Sequence, residues 1–142
     1  MLVKEVMNKD VKTIEPDATI REAAEIMNES RIGSLVVVKD KEVVGILTER
    51  TILTDVVAEA KNSEEVKVKD IMVKKLITVD PNASLEDAAE LMVKHKIKKL
   101  PVVAAGNLVG IVTASDLITY EKRLIEKVAT LMIVAPKINI AG

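Results

Sequence analysis

The sequence predicts a mixed α/β fold, α+β in its local order, built from two pseudo-symmetric β-α-β-β-α repeats packed sheet to sheet. Three observations predict it. The chain aligns with itself at an offset of about 65 residues without a gap, each half carries the same succession of strand-like and helix-like signals, and the strand-like runs are nearly all Val, Ile and Leu. Sheets of that composition need cover on both faces, so the halves are expected to pack on each other around a pseudo-two-fold cleft.

The duplication is dense. Lys4-Glu5-Val6-Met7 falls on Lys69-Asp70-Ile71-Met72, Thr13-Ile14-Glu15-Pro16 on Thr78-Val79-Asp80-Pro81, and Val44-Gly45-Ile46-Leu47-Thr48 on Val109-Gly110-Ile111-Val112-Thr113. The resulting division is repeat 1 over 1–60, a linker over 61–65, repeat 2 over 66–125, and a C-terminal helix extension and tail over 126–142. The linker region has no apolar periodicity.

Each repeat opens with a short β-type stretch, Val11 to Ile14 or Leu76 to Val79, closed by Pro16 or Pro81. Thr19 with Glu22, and Ser84 with Asp87, have the spacing of capping boxes. Apolar residues then recur at helical intervals, at Ile20, Ala23, Ala24 and Met27 and at Leu85, Ala88, Ala89 and Met92. Two β-rich runs follow in each half and read as hairpins: Ser34 to Val38 with Val43 to Leu47, and Leu100 to Val103 with Leu108 to Val112. A second helix begins at Thr48 or Thr113. In repeat 2 it can continue through Leu117, Ile118, Leu124, Ile125 and Val128, while the tail from Ile133 has no clear pattern.

Composition bounds the core and the chemistry. The 142 residues, 49% of them hydrophobic, suit one compact module, and with Tyr120 the single aromatic the core must be made of Val, Ile, Leu, Ala and Met. Lys plus Arg number 21 against 22 Asp plus Glu, so no global field draws the protein to nucleic acid or to an anionic membrane. The absence of Cys excludes disulfides and thiolate metal sites, and no apolar run reaches membrane-spanning length. The N-terminal residues MLVKEVMNKD lack an apolar leader core, which makes the cytoplasm the expected compartment. No paired carboxylates, nucleophile–His couple, metal cluster or P-loop is visible, so no catalytic residue and no enzyme activity are expected.

The run IKKLPVV from Ile97 to Val103, then LVGIVTASDL from Leu108 to Leu117, with the first-half counterparts IGSLVVV and VVGILTERTI, resembles the cystathionine β-synthase (CBS) domain family, whose members occur as tandem pairs called Bateman modules. The resemblance covers nearly the whole chain. It implies a regulatory or sensing module that binds an adenosine nucleotide of the AMP, ADP, ATP or S-adenosylmethionine class as a regulatory ligand, acting on an unidentified protein partner. It also implies a homodimer formed through apolar helix faces. By resemblance Asp116 binds the ribose with Thr113 as its partner in the motif, Lys98 and Lys99 lie near phosphate, and Lys12, Thr13, Ile32 and Gly33 supply the other side of the pocket. Independently of the family, Thr113 and Ser115 offer hydroxyls, and a strand running into a helix N-terminus offers backbone N–H groups to an anion. Ile32 and Ile111 can sandwich a purine.

The first repeat departs from this pattern where Thr51 stands in the place of Asp116. One good site and one degenerate one are therefore expected, the second comprising Thr78, Ile97, Ile46, Thr48, Arg50 and Thr51, where Arg50 could still hold phosphate. Bland readings stand beside these. Thr113 with Asp116 is also an ordinary capping box, Lys98 and Lys99 can be solvated surface charge, and the lone His95 reads as a helix-end residue interacting with the dipole. Met27 and Met92 read as core filler, and Glu49 as a first-turn charge.

Overall fold

Residues 1–134 are described by a computed structural model; of the tail expected from Ile133, residues 135–142 lie outside the described residues. In chain order the elements are α1 (Val3–Val6), β1 (Thr13–Ile14), α2 (Ile20–Ser30), β2 (Ser34–Lys39), β3 (Glu42–Thr48) and α3 (Glu49–Ile52), which runs on as a π-helical turn over Leu53–Val57. The second half follows with α4 (Val68–Ile71), α5 (Leu85–His95), β4 (Lys99–Ala104), β5 (Asn107–Thr113) and α6 (Ala114–Val134).

Helices α2 and α5 form where apolar residues recur at helical spacing, and they bury that stripe: Ile20, Ala23 and Met27 in one, Ala88 and Met92 in the other. Ser84 and Asp87 exchange bonds in both directions, closing a full capping box. At Thr19 only half of the expected box forms: its Oγ1 accepts from Glu22 N–H at 3.2 Å, and Glu22 does not return the bond. Both helices stop on a left-handed residue, Arg31 (φ 53°) and Lys96 (φ 55°), whose N–H bonds back to Met27 and Met92 respectively.

The two hairpins turn on residue pairs of positive φ, Asp40 and Lys41 (51° and 72°) and Ala105 and Gly106 (51° and 84°), the signature of tight turns that match strand twist. Strand β1 pairs in parallel with β2. Its counterpart shrinks to one bridge, Val79 with Val102. The reason is Pro101, which stands where repeat 1 has Val36: the next rung of the ladder would take an N–H from that residue, and proline has none.

Two cores result, and each is completed by the other half. Val68, with Met72 packed nearby, belongs to the core of Ile14, Ile20, Ala23, Met27, Leu35, Val37, Leu47 and Val56. Val3, with Val6 and Met7, belongs to the core of Val79, Ala88, Met92, Leu100, Val102 and Val112. The repeats have thus exchanged their opening segments. Matching bonds fix the exchange, Val3 N–H to the Ala83 carbonyl (2.8 Å) and Val68 N–H to that of Ala18 (2.9 Å). Gly110 and Gly45 lie where the exchanged segments cross the sheet; a Cβ at either would stand 2.6 Å from a methionine sulfur, that of Met7 or Met72.

The sheet order is β1-β2-β3-β5-β4, and the halves join at one edge pair, Glu42 with Asn107. In the cleft, Lys99 Nζ donates to Ser34 Oγ at 3.2 Å. Both pairs join residues equivalent by the repeat, so the pseudo-two-fold axis passes through both contacts. Leu35, Val37, Leu100 and Val102 point to the helices, whereas Val36 and Pro101, one residue out of phase, are buried on the opposite face of the sheet.

Candidate functional site

The chain from Asn8 to Lys12 is a strap that leaves the second half and enters the first. Asn8 exchanges backbone bonds with Ile111 of β5 (2.8 and 2.9 Å), and Thr13 pairs with Val36 of β2. The Asn8 side chain accepts from Asp10 N–H at 2.9 Å and bends the strap. Beneath it lies a cavity of about 170 Å³ between the two halves. Asn8, Asp10, Val11 and Lys12 close one side; Ile32, Ser34 and Val36 form the wall from repeat 1, and Lys99, Ile111 and Thr113 the wall from repeat 2. Alternate residues of a strand share a face, which is why Ser34 and Val36 on β2, and Ile111 and Thr113 on β5, meet across it.

Of the sequence-predicted residues, Lys12, Ile32, Lys99, Ile111 and Thr113 are therefore gathered in one place. Ile32 also borders, with Gly33, a larger open cleft of about 640 Å³ beside Arg31 and Glu49. That cleft is lined by repeat 1 alone and is not the expected inter-repeat site. Thr13 lies on another depression, with Glu15 and Glu22. Lys98, Ser115 and Asp116 do not line the cavity either. Lys98 uses its carbonyl to accept Ala114 N–H (2.8 Å).

Thr113 and Asp116 form a reciprocal cap: Asp116 Oδ2 accepts from Thr113 N–H at 2.9 Å and Thr113 Oγ1 from Asp116 N–H at 3.1 Å. The α6 N-terminus thus offers an anion less than the sequence led one to expect, because the N–H groups of Ala114 and Asp116 are already engaged. Asp116 Oδ1 takes no part in the cap and stays available as an acceptor.

The second side is built differently. Thr51 N–H donates to Thr48 Oγ1 at 3.1 Å, and the two hydroxyls lie 2.9 Å apart, so Thr51 serves the cap of α3. Ile46 pairs with Val73, Ile97 packs on the second core, and Thr78 and Arg50 are exposed. Where the first strap carries Asn8, Asp10 and Lys12, its repeat counterpart carries Val73, Lys75 and Ile77. Asn8, Asp10, Val11, Ser34 and Val36 are the lining residues the sequence reading missed; the mismatch of Asp10 with Lys75 was the visible signal.

Charge perturbation is resolved away from the cavity. Lys69 Nζ, 2.9 Å from Asp17 Oδ1, hydrogen-bonds that carboxylate and holds it below its ordinary pKa, and Asp17 raises Lys69 in return. This pair fastens α4 to the first repeat. Among the described residues no three metal-ligating side chains cluster, and no helix is long and apolar enough to cross a membrane.

Residues 3–58 and 68–123 each match the model of the CBS domain. The chain belongs to the CBS domain family. Among its relatives, this CBS pair is 40% identical over 115 residues to the CBS domain-containing protein YhcV of Bacillus subtilis, spanning 81% of each chain. It is also 40% identical over 118 residues to inosine-5'-monophosphate dehydrogenase of Thermoplasma acidophilum, a match that takes in 82% of this chain and 23% of that enzyme. The solved structure of an acetoin utilization protein (AcuB) from Vibrio cholerae superposes with a TM-score of 0.80 at 30% identity, over 96% of this chain and 98% of the other. The CBS domain NE2398 gives 0.79 at 31% identity, over 86% and 98%.

Proposed function

We propose that this CBS pair is a non-catalytic sensor that binds an adenosine nucleotide, of the AMP, ADP, ATP or S-adenosylmethionine class, in the cleft under the strap and relays its occupancy to a protein partner. One observation carries the reading: residues from both repeats meet at a single cavity with apolar walls, Ile32 against Ile111, and a polar rim of Thr113, Lys12 and Lys99. At about 170 Å³ the cavity is below the roughly 300–1,000 Å³ of drug-sized ligand sites. It suits a planar base. The ribose and phosphates then extend over Thr113 toward the free Oδ1 of Asp116, with the lysines as cationic partners. Because the two walls come from different halves and the strap bridges them, occupancy favours one relative arrangement of the halves over others, which is what a relay requires.

Calorimetry of the purified protein with AMP, ADP, ATP and S-adenosylmethionine tests this, and absence of binding to all four by folded protein refutes it. A different reading, a ligand-independent interaction module, is favoured by the reciprocal cap, which accounts for Thr113 and Asp116 without a ligand. Asp116→Asn separates the two, since asparagine retains an oxygen for the cap but is a weaker acceptor for two ribose hydroxyls. The sensor loses nucleotide-induced thermal stabilisation in this variant; the interaction module shows none in either form.

We also propose a homodimer. Leu53 and Ile118, equivalent by the repeat, are 53% and 68% exposed on the second helix of each half, and Val57 stands beside Leu53 at 62%. Sedimentation that gives a monomer across the micromolar range contradicts it.

A further inference from the structure

The two halves differ in charge. The one assembled from residues 8–72 carries 10 Lys and Arg against 14 Asp and Glu, and the one assembled from residues 1–7 and 73–134 carries 10 against 8. With histidine neutral, their side chains give net charges of −4 and +2. The difference extends to the helices whose exposed apolar residues carry the dimer reading. Glu49 and Arg50 precede Leu53 by four and three residues, whereas Glu121 and Lys122 follow Ile118 by three and four. All four are exposed, and among the described residues none has an ion-pair partner in its own chain.

Resting on the homodimer reading, we propose that two copies pack head to tail, with α3 and its π-helical continuation in one copy against α6 of the other. The contact is made twice, as an isologous interface requires. Leu53 and Ile118 are equivalent by the repeat, so a local pseudo-dyad that brings Leu53 against Ile118 of the second copy sets the two helices antiparallel. Residues three and four apart share a helix face. Four before Leu53 therefore meets four after Ile118, and three before meets three after: Glu49 faces Lys122 of the second copy, and Arg50 faces its Glu121. Both pairs are of opposite sign. In a head-to-head arrangement, a dyad through two copies of Leu53 sets Glu49 against Val57, and one through two copies of Ile118 sets Lys122 against Ala114, so neither charge finds a partner. That arrangement also places the two acidic halves side by side. Exposed charges of this kind fix orientation more than they add affinity, which the apolar residues supply.

Sedimentation of the full chain at low salt tests this with Glu49→Lys, Lys122→Glu and the double variant. Each single reversal sets like charges against each other at both contacts and is expected to weaken the dimer at least about tenfold. The double variant restores opposite signs and is expected to return to within about threefold of wild type. Both residues lie outside the two cores, and recovery in the double variant shows that neither single change acts by misfolding. If wild type dimerises and the single variants dimerise as tightly, or if the double variant is as weak as the singles, the head-to-tail arrangement is wrong although the dimer stands. If wild type is a monomer, both fall together.

Discussion

Replacing Gly110 with alanine adds one carbon at the point where the exchanged N-terminal segment crosses β5, and the surroundings set its cost. The new Cβ would stand 2.6 Å from Met7 Sδ, 3.0 Å from Met7 Cγ and 3.1 Å from the Asn8 carbonyl oxygen. The thioether can swing aside. The carbonyl cannot move freely, because Asn8 and Ile111 bond each other at 2.8 and 2.9 Å. Overpacking of this kind costs about 1–3 kcal/mol, and the alanine regains about 0.4–1 kcal/mol by restricting the unfolded chain, the φ at Gly110 not being positive. At the middle of both ranges the net loss is about 1.3 kcal/mol. Gly45 is an internal control, since Met72 and the Val73 carbonyl stand at the same 2.6, 3.0 and 3.1 Å. Urea unfolding of the two variants should give midpoints lowered to a similar extent, with unchanged slopes. An unchanged or raised midpoint for Gly110→Ala would refute the close passage of the exchanged segment, and with it the account of why glycine occupies both positions.

Ser84→Ala removes one side of a reciprocal box and Thr19→Ala a one-way cap, so both should lose about 1 kcal/mol in urea unfolding, with the serine variant at least as damaged. The Asp17 to Lys69 pair makes a pH-dependent contribution. The carboxylate is depressed in the folded state, so its contribution is present above the unfolded value of about 4 and is lost as pH falls through the lower folded value. Stability curves of wild type and Asp17→Asn should differ near neutrality, converge in acid below about pH 4, and draw together at high salt because the pair is exposed.

Much of the fold was legible because the chain states it twice. Helical spacing located α2 and α5, β-rich runs located both hairpins, and Met27 and Met92 are buried as the periodicity required. Two features were hidden. Periodicity reports which face of α1 or α4 is buried but not against what, so the exchange of segments had no local trace. The shortening of the strand near Val79 depended on Pro101, a residue on the partner strand and not in the run itself. For the site, the family pattern led to Lys12, Ile32, Lys99, Ile111 and Thr113, which the fold does bring together. Asp10 and Asn8 escaped because the strap has no periodicity, and its contribution depends on which sheet it leaves and which it enters. Asp116 was expected beside the ligand, and its bonds to Thr113 show a cap that holds whatever else the residue does.

The exchange of opening segments also sets an order of events during synthesis. The first core needs Val68 and Met72 and can close soon after they are made. The segment around Val3 and Met7 is made first and cannot complete its native contacts until Val112 is made, because its neighbours extend that far. Until then its apolar side chains have no native shelter and the strap over the cleft has no anchor at Ile111. The cleft thus cannot be assembled before β5 is made, because its lining residues come from both halves and extend to Thr113.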